Sequence, residues 1–117
     1  HLMFYSNRAA TTNFVVRNNL FVRSTEVCTR MDNDWHASLT MQNNLYHQPG
    51  KPILRWLVTN YYAAGDFGRY QKELGLGGDS LVAEPQFVDP AARDYRLKPG
   101  SPGSSLATDG GPVGARW

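Results

Sequence analysis

One pattern occurs twice in this chain, first as Phe14-Val15-Val16-Arg17-Asn18-Asn19-Leu20-Phe21 and again as Leu39-Thr40-Met41-Gln42-Asn43-Asn44-Leu45-Tyr46. The second copy begins 25 residues after the first. In each copy apolar side chains alternate with others, and this period of two predicts a strand with one buried face. A pair of asparagines ends the strand, after which an apolar segment resumes. The chain is therefore predicted to fold as successive copies of one unit.

The asparagines mark the bend within each unit. Asparagine tolerates the left-handed backbone conformation better than other non-glycine residues, and its amide hydrogen-bonds to nearby backbone groups. We therefore predict tight bends at Asn18 and Asn43, with the two amides bonded to each other where the units stack. The segment Leu2-Met3-Phe4-Tyr5 is predicted to take the place of Leu20 one unit earlier.

A third strand is predicted in each unit, at residues 26–31 and again at 53–58. Residues 48–52 lie between them and contain two prolines, which cannot donate a hydrogen bond to a β-ladder. This segment is therefore predicted to be a surface loop. A unit of about 18 to 25 residues that holds several short strands and no helix cannot bury its apolar face alone. It must stack on copies of itself, which is the construction of a β-solenoid.

The second half of the sequence changes character. Asp66 is predicted to cap a two-turn helix over residues 67–74, and Gly75 to end it. A short strand follows at residues 80–83, and residues 95–97 form the last extended segment. We expect a single domain over residues 1–117, with stacked coils over 1–65 and with the helix, last strands and terminal cap over 66–117.

Composition limits the class of protein. Hydrophobic residues make up 41% and charged residues 19%, which excludes a highly charged disordered chain. The charged residues are scattered along the chain and sum to a net charge of only +2, so they indicate neither a nucleic-acid partner nor a membrane surface. No apolar run reaches the roughly 20 residues of a membrane span, and the N-terminus shows no signal peptide. The lone Cys28 is expected to be a buried thiol.

Several short motifs occur in a fixed order along the chain. They are Asn18-Asn19-Leu20-Phe21, Gly50-Lys51-Pro52-Ile53, Trp56, Glu84-Pro85-Gln86-Phe87, Asp94-Tyr95-Arg96-Leu97, Ser101-Pro102 and the Gly-rich residues 110–115. Together they resemble the C-terminal coils of the pectate-lyase-like superfamily of right-handed parallel β-helix proteins. The chain departs from that pattern at Glu84, where Asp is usual, and at Gly103-Ser104-Ser105.

The resemblance implies an all-β fold: a right-handed parallel β-helix fragment of a few coils, with one short helix and an irregular C-terminal tail, cut from a longer solenoid. It also implies an exported bacterial parent that is secreted or held at the cell surface and acts on polysaccharide, as a lyase or a glycoside hydrolase. The active groove of such enzymes lies on more central coils. Because those coils are missing here, catalysis by this chain alone is not expected. The fold itself does not fix a function, since the same scaffold serves several chemistries.

Polar clusters supply the candidates for catalysis and metal binding. Asp32 and Asp34, spaced by two, are candidate ligands for Ca²⁺, the one cofactor that the resemblance suggests. Turn formation by the same side chains is the alternative. If the chain is a small polysaccharide lyase or hydrolase, the candidate catalytic residues are His36, Lys51 and Arg55, the last two by neutralising a uronate carboxylate. Each has a solvated surface role as its alternative.

The candidate glycan-binding residues are Trp35, Tyr46, His47 and Trp56, because aromatic faces stack on sugar rings and polar groups bind hydroxyls. Packing of Trp56 in the core and of tyrosines over the helix is the alternative. Three hypotheses follow: a glycan-contacting end segment of a carbohydrate-active protein, a structural or self-association module, and a small enzyme. The second predicts homo-oligomers through strand edges of the N-terminal coil.

Overall fold

The computed structural model describes residues 2–4, 14–24, 26–31, 39–57 and 60–114. Within these ranges the fold is all-β, with short strands and a single α-helix, α1 (Phe67–Leu74). The strands are β1 (Leu2–Phe4), β2 (Phe14–Arg17), β3 (Leu20–Val22), β4 (Thr29–Met31), β5 (Leu39–Gln42), β6 (Leu45–His47), β7 (Leu54–Trp56), β8 (Asn60–Tyr62), β9 (Leu81–Val82), β10 (Phe87–Asp89) and β11 (Asp94–Leu97).

Three parallel ladders share one register. Strand β2 pairs with β5 from Phe14 opposite Leu39, β3 pairs with β6 from Leu20 opposite Leu45, and β4 pairs with β7 from Thr29 opposite Leu54. In all three the paired residues lie 25 positions apart, which confirms the offset predicted from the sequence. We therefore call residues 14–38 the first repeat and residues 39–63 the second repeat.

Strand β1 does not lie where the sequence placed it. It was predicted to stack over Leu20, but Leu2 pairs in parallel with Thr29, so β1 extends the β4–β7 ladder. Apolar segments of three or four residues look alike in every strand of the repeat. Their pattern fixes which face is buried but not which neighbouring strand they join.

Both predicted bends are present, with Asn18 at φ 61° and Asn43 at φ 54°. Their side-chain amides, however, do not bond to each other. The Asn43 amide nitrogen donates to the Leu106 carbonyl at 2.8 Å, and that of Asn18 donates to the Thr108 hydroxyl at 3.0 Å. The C-terminal segment lies beside the bends and accepts hydrogen bonds from both amides. The stacked bends are joined through the backbone instead, where the Asn18 N–H donates to the Asn43 carbonyl at 3.1 Å.

The predicted helix is confirmed over residues 67–74, and it ends at Gly75 in the left-handed conformation, as predicted. Asp66 stands at the cap position, but its side chain makes no capping hydrogen bond to the helix. It accepts instead from the Ala63 backbone N–H at 3.2 Å and so closes a 3-10 turn over Ala64–Asp66. Tyr70 and Leu74 on one face of α1 pack against apolar residues of the second repeat, including Met41.

The C-terminal half completes and covers the sheets. Strand β9 adds in parallel to β6, while β8 adds antiparallel to β7. Strands β10 and β11 form an antiparallel hairpin of their own. Beyond the hairpin, Ala107 and Val113 pack on the buried Leu45 of β6. This C-terminal segment therefore covers the outer side of the β3–β6–β9 sheet.

Candidate functional site

Three clefts of the described structure are linked by shared lining residues. The hairpin cleft, of about 440 Å³, lies between the ends of β3 and β6 and the β10–β11 hairpin. The central cleft, of about 310 Å³, shares Arg23 with it. The loop cleft, of about 340 Å³, shares Gln48, Pro49 and Lys51 with the central cleft. We call the three together the groove, because each cleft shares lining residues with its neighbour.

Arg23 stands where the first two clefts meet because the chain turns sharply there. It follows the last residue of β3, adopts φ 50°, and donates its backbone N–H to the His47 carbonyl at 2.9 Å. That bond fixes the end of β3 to the end of β6. Arg23 and His47 consequently line the same hairpin cleft.

Gln48 holds the floor of the groove. Its side chain is only 4% exposed, and its amide nitrogen donates to the carbonyls of Ser24 at 3.0 Å and Glu26 at 3.3 Å. These bonds pin the 48–52 loop to the turn of the first repeat. Prolines at both ends of the Gly50–Lys51 dipeptide limit its backbone freedom. The exposed Lys51 thus lines the groove from a loop that these hydrogen bonds and prolines hold in place.

The hairpin supplies an aromatic wall. Tyr95 is 47% exposed, and its ring meets that of Phe87 edge to face, at a centroid distance of 5.4 Å and an interplanar angle of 88°. Glu84 lines the same cleft and is the one carboxylate among the described lining residues of the groove. The groove therefore combines an exposed aromatic ring with an arginine, a lysine, a histidine and one carboxylate.

The predicted site residues are distributed unevenly. His47 and Lys51 lie in the groove. Arg55 lies on β7 between Arg30 and Tyr61 across the sheet, and it does not line any of the three clefts. The candidates Asp32, Asp34, Trp35 and His36 lie outside the described residues, so their roles stay predictions.

Tyr46 and Trp56, named as glycan-binding candidates, are core residues in the structure. Tyr46 is 1% exposed and stacks on Phe21, and Trp56 is 7% exposed within the cluster that contains Met41 and Tyr70. Since both rings pack against other side chains of the chain, a ligand at its surface cannot stack on either. For Trp56 this is the alternative that the sequence left open.

Sequence reasoning missed Arg23, Glu84 and Tyr95. Arg23 follows a short strand without any local motif, and Glu84 was noted only as part of the motif at residues 84–87. Only the folded path of the chain brings the two residues together. Tyr95 carried a usable signal. It alternates with Asp94 and Arg96 in a segment that is flanked by prolines and glycines, which is typical of a short hairpin strand with an exposed face.

Metal and thiol chemistry find little support in the described part of the chain. No three His, Cys, Asp or Glu side chains converge there on a metal site, and calcium at Asp32 and Asp34 stays a prediction. Cys28 is fully buried, and burial raises the pKa of its thiol, which disfavours the reactive thiolate. No helix in the described ranges is long and apolar enough to span a bilayer.

Comparison with known proteins gives no relative at a significant level: no family model matches the sequence, and neither a curated protein nor a solved structure matches it. The resemblance to the pectate-lyase-like superfamily therefore stays a prediction, and the function has to be argued from the groove.

Proposed function

We propose that the chain is a segment of a right-handed parallel β-helix that contacts a polysaccharide along the groove. The observation that carries the proposal is that the three clefts share lining residues, first Arg23 and then Gln48, Pro49 and Lys51. A small ligand needs one enclosed pocket, whereas a chain of sugars needs successive shallow subsites. A row of adjoining open clefts suits the second kind of ligand.

The chemistry of the lining supports a sugar polymer. Tyr95 offers an exposed ring whose phenol combines an apolar face with a polar tip, and such a face packs on the C–H face of a sugar ring. Arg23, Lys51 and His47 are donors for hydroxyl or carboxylate oxygens. Sites for small organic ligands likewise combine apolar surface with a few placed polar groups. The cations favour an acidic polysaccharide over a neutral one.

The three ladders support the β-helix part of the proposal. Strands β2, β3 and β4 each lie parallel to the strand 25 residues later, and both repeats pass through their sheets in the same order. Parallel pairing of strands one repeat apart is what stacking of like units produces. The handedness and the carbohydrate-active parent follow from the sequence resemblance alone.

The proposal assigns binding to the groove and leaves catalysis aside. Hydrolysis of a glycosidic bond ordinarily uses two carboxyl groups on either side of the bond. Among the described lining residues, Glu84 is the one carboxylic acid. A lyase that uses His36 would place its chemistry outside the described residues.

The test is affinity electrophoresis of the purified chain through gels containing pectin, alginate, xylan or cellulose derivatives. Lys51→Ala, Tyr95→Ala and Arg23→Asn are compared with the wild-type chain, and Asn is chosen for residue 23 because it tolerates the left-handed backbone there. Exposed residues outside the groove give matched controls: Lys72→Ala for the lysine and Tyr61→Ala for the tyrosine.

We expect at least one polysaccharide to retard the wild-type chain, with binding about tenfold weaker in each groove variant, equivalent to about 1.4 kcal/mol, and unchanged in both controls. Two results would overturn the proposal: no retardation by any polysaccharide, or loss of binding in Tyr61→Ala with the groove variants unaffected. The second result would place the contact on the outer face of β7 and β8.

A further inference from the structure

Among the described strands, the first repeat forms one end of the stack. Strand β1 already lies over β4, but within the described residues β2 is an edge of the β2–β5 sheet and β3 is an edge of the β3–β6–β9 sheet. Their outward N–H and C=O groups therefore form a ready template for further strands. The opposite side differs, because β9 extends the β3–β6 sheet there and α1 packs its Tyr70 and Leu74 against the second repeat.

Two asparagines at the same position of the repeat behave differently. Asn44 is fully buried; its side-chain oxygen accepts from the Asn19 backbone N–H at 2.9 Å, and its amide nitrogen donates to the Val16 carbonyl at 3.1 Å. Asn44 thus ties its own repeat to the preceding one. Asn19 is exposed, and its amide nitrogen donates locally to the Arg17 carbonyl at 2.8 Å.

The aromatic residues two positions further along show the same difference. Tyr46 of the second repeat is 1% exposed, with Phe21 on one side at 5.1 Å and Phe67 on the other at 5.7 Å between ring centroids. Phe21, its equivalent in the first repeat, is only half-buried. Asn19 and Phe21 of the first repeat are thus the equivalents of the buried Asn44 and Tyr46. They are more exposed because no described strand covers β3 on its outer edge.

We propose that the edges of β2 and β3 bind one further strand–bend–strand segment of this same repeat, laid parallel, with its bend over Asn18 and Asn19. The 25-residue register of all three ladders defines its alignment, and Asn44 defines its bonds. In the bound state the Asn19 amide leaves the Arg17 carbonyl and bonds to the backbone of the added segment. This inference rests on the proposed β-helix and adds a partner and a residue that recognises it.

The added segment can be supplied by the chain's own sequence. We would duplicate residues 14–38 directly before residue 14, so that the original β2 and β3 become interior strands, and compare this tandem chain with the wild-type chain. Asn19→Ala is made in the wild-type chain and in the copy of the repeat that precedes residue 39. Thermal and urea unfolding are followed for all four proteins by circular dichroism.

We expect the tandem chain to unfold in one transition, with a larger dependence on urea than the wild-type chain because more surface is buried. Asn19→Ala should lower the midpoint temperature by about 2 °C at most in the wild-type chain and by about 4 °C or more in the tandem chain. Equal effects in the two chains would overturn the proposal. An unchanged urea dependence, with rapid proteolysis of the added repeat, would overturn it as well.

A second copy of the chain is the competing occupant of the same edges. Light scattering that gives a dimer for the wild-type chain and a monomer for Asn19→Ala would show that a second copy covers the edges, and the proposal would then be wrong. Polysaccharide retardation of the tandem chain separates this inference from the proposed function. If polysaccharide retards the tandem chain but the added repeat gives no extra stability, only this inference is wrong. If the added repeat stabilises the tandem chain but polysaccharide retards neither chain, only the glycan proposal is wrong.

Discussion

The ring of Phe21 lies almost parallel to the ring of Tyr46, with centroids 5.1 Å apart and an interplanar angle of 7°. The two residues are directly opposite in the β3–β6 ladder, so their stacking follows from the 25-residue register. The Tyr46 ring is buried together with its hydroxyl, which lies near the Asn44 and Tyr70 side chains but makes no well-formed hydrogen bond in the described chain. Tyr46 therefore combines a stabilising ring with a hydroxyl group whose burial is unfavourable.

Replacing Tyr46 with Phe should keep the ring and remove the unfavourable group. We expect the free energy of unfolding of Tyr46→Phe at pH 7 to be unchanged or slightly higher, because a buried hydroxyl without a partner costs about 1–3 kcal/mol. Tyr46→Ala, the matched variant that also removes the ring, should lose about 3–5 kcal/mol. Urea unfolding measures both. A loss above about 1 kcal/mol in Tyr46→Phe would show that the hydroxyl has a partner after all.

The stability of the chain should fall in alkaline solution. Burial raises the pKa of the Cys28 thiol above its ordinary value of 9.0 and that of the Tyr46 phenol well above 10.0. The folded chain therefore holds these protons more tightly than the unfolded chain. The stability that this difference provides is fully present below pH 9 and is lost as the pH rises past the pKa values of the two groups in the unfolded chain.

The control for that prediction is the Tyr46→Phe chain. We expect its free energy of unfolding to fall less than that of the wild-type chain as the pH is raised above 10, the ordinary pKa of the phenol. Urea unfolding at a series of pH values measures the difference. Identical curves for the two chains would mean that Tyr46 titrates alike in the folded and unfolded states.

The C-terminal segment should depend on Gly103. Its φ is 87°, and a Cβ there would lie 3.0 Å from Leu45 Cδ2 and 3.1 Å from Val113 Cγ2. Gly100 has a similar φ of 84° with no atom within 4 Å of the corresponding position, which makes it a matched control. Gly100→Ala should cost about 1 kcal/mol for backbone strain, and Gly103→Ala about 1–3 kcal/mol more for overpacking.

Urea unfolding gives the two costs, and hydrogen exchange at Val113, whose N–H donates to the Gly103 carbonyl at 3.1 Å, reports the local effect. Faster exchange is expected in Gly103→Ala than in Gly100→Ala. If the two variants lost equal stability, the close packing of Gly103 on Leu45 would not be needed to hold the segment in place.

The repeat and the helix could be predicted from sequence because each has a local signature. The Asn-Asn pairs mark the bends, and Tyr70, Leu74 and Gly75 mark one face and the end of α1. Alternation fails in β6, where consecutive Leu45 and Tyr46 are both buried. The core takes Tyr46 on one side and the C-terminal segment covers Leu45 on the other, a contact that no local pattern contains.

Only some residues of the groove could be predicted, because the groove too is formed by contacts between distant parts of the sequence. His47 and Lys51 were chosen by residue type, and the structure places both beside the clefts. Their neighbours Arg23, Glu84 and Tyr95 come from distant parts of the sequence. Glu84 and Tyr95 belong to short motifs that indicate a fold and not a site. Residues that converge only through the path of the chain cannot be recognised together from one sequence.

The central claim is that the groove contacts polysaccharide, and an NMR titration of the ¹⁵N-labelled chain tests it most directly. The probes are short oligosaccharides from pectin, alginate, xylan and cellulose, each added to saturation. We predict that at least one of them shifts the amide signals of Arg23, Ser24, Gln48, Lys51 and Tyr95, with those of α1 unmoved. The claim would be contradicted if no oligosaccharide shifted these signals, or if the shifts were confined to α1 or to β7 and β8.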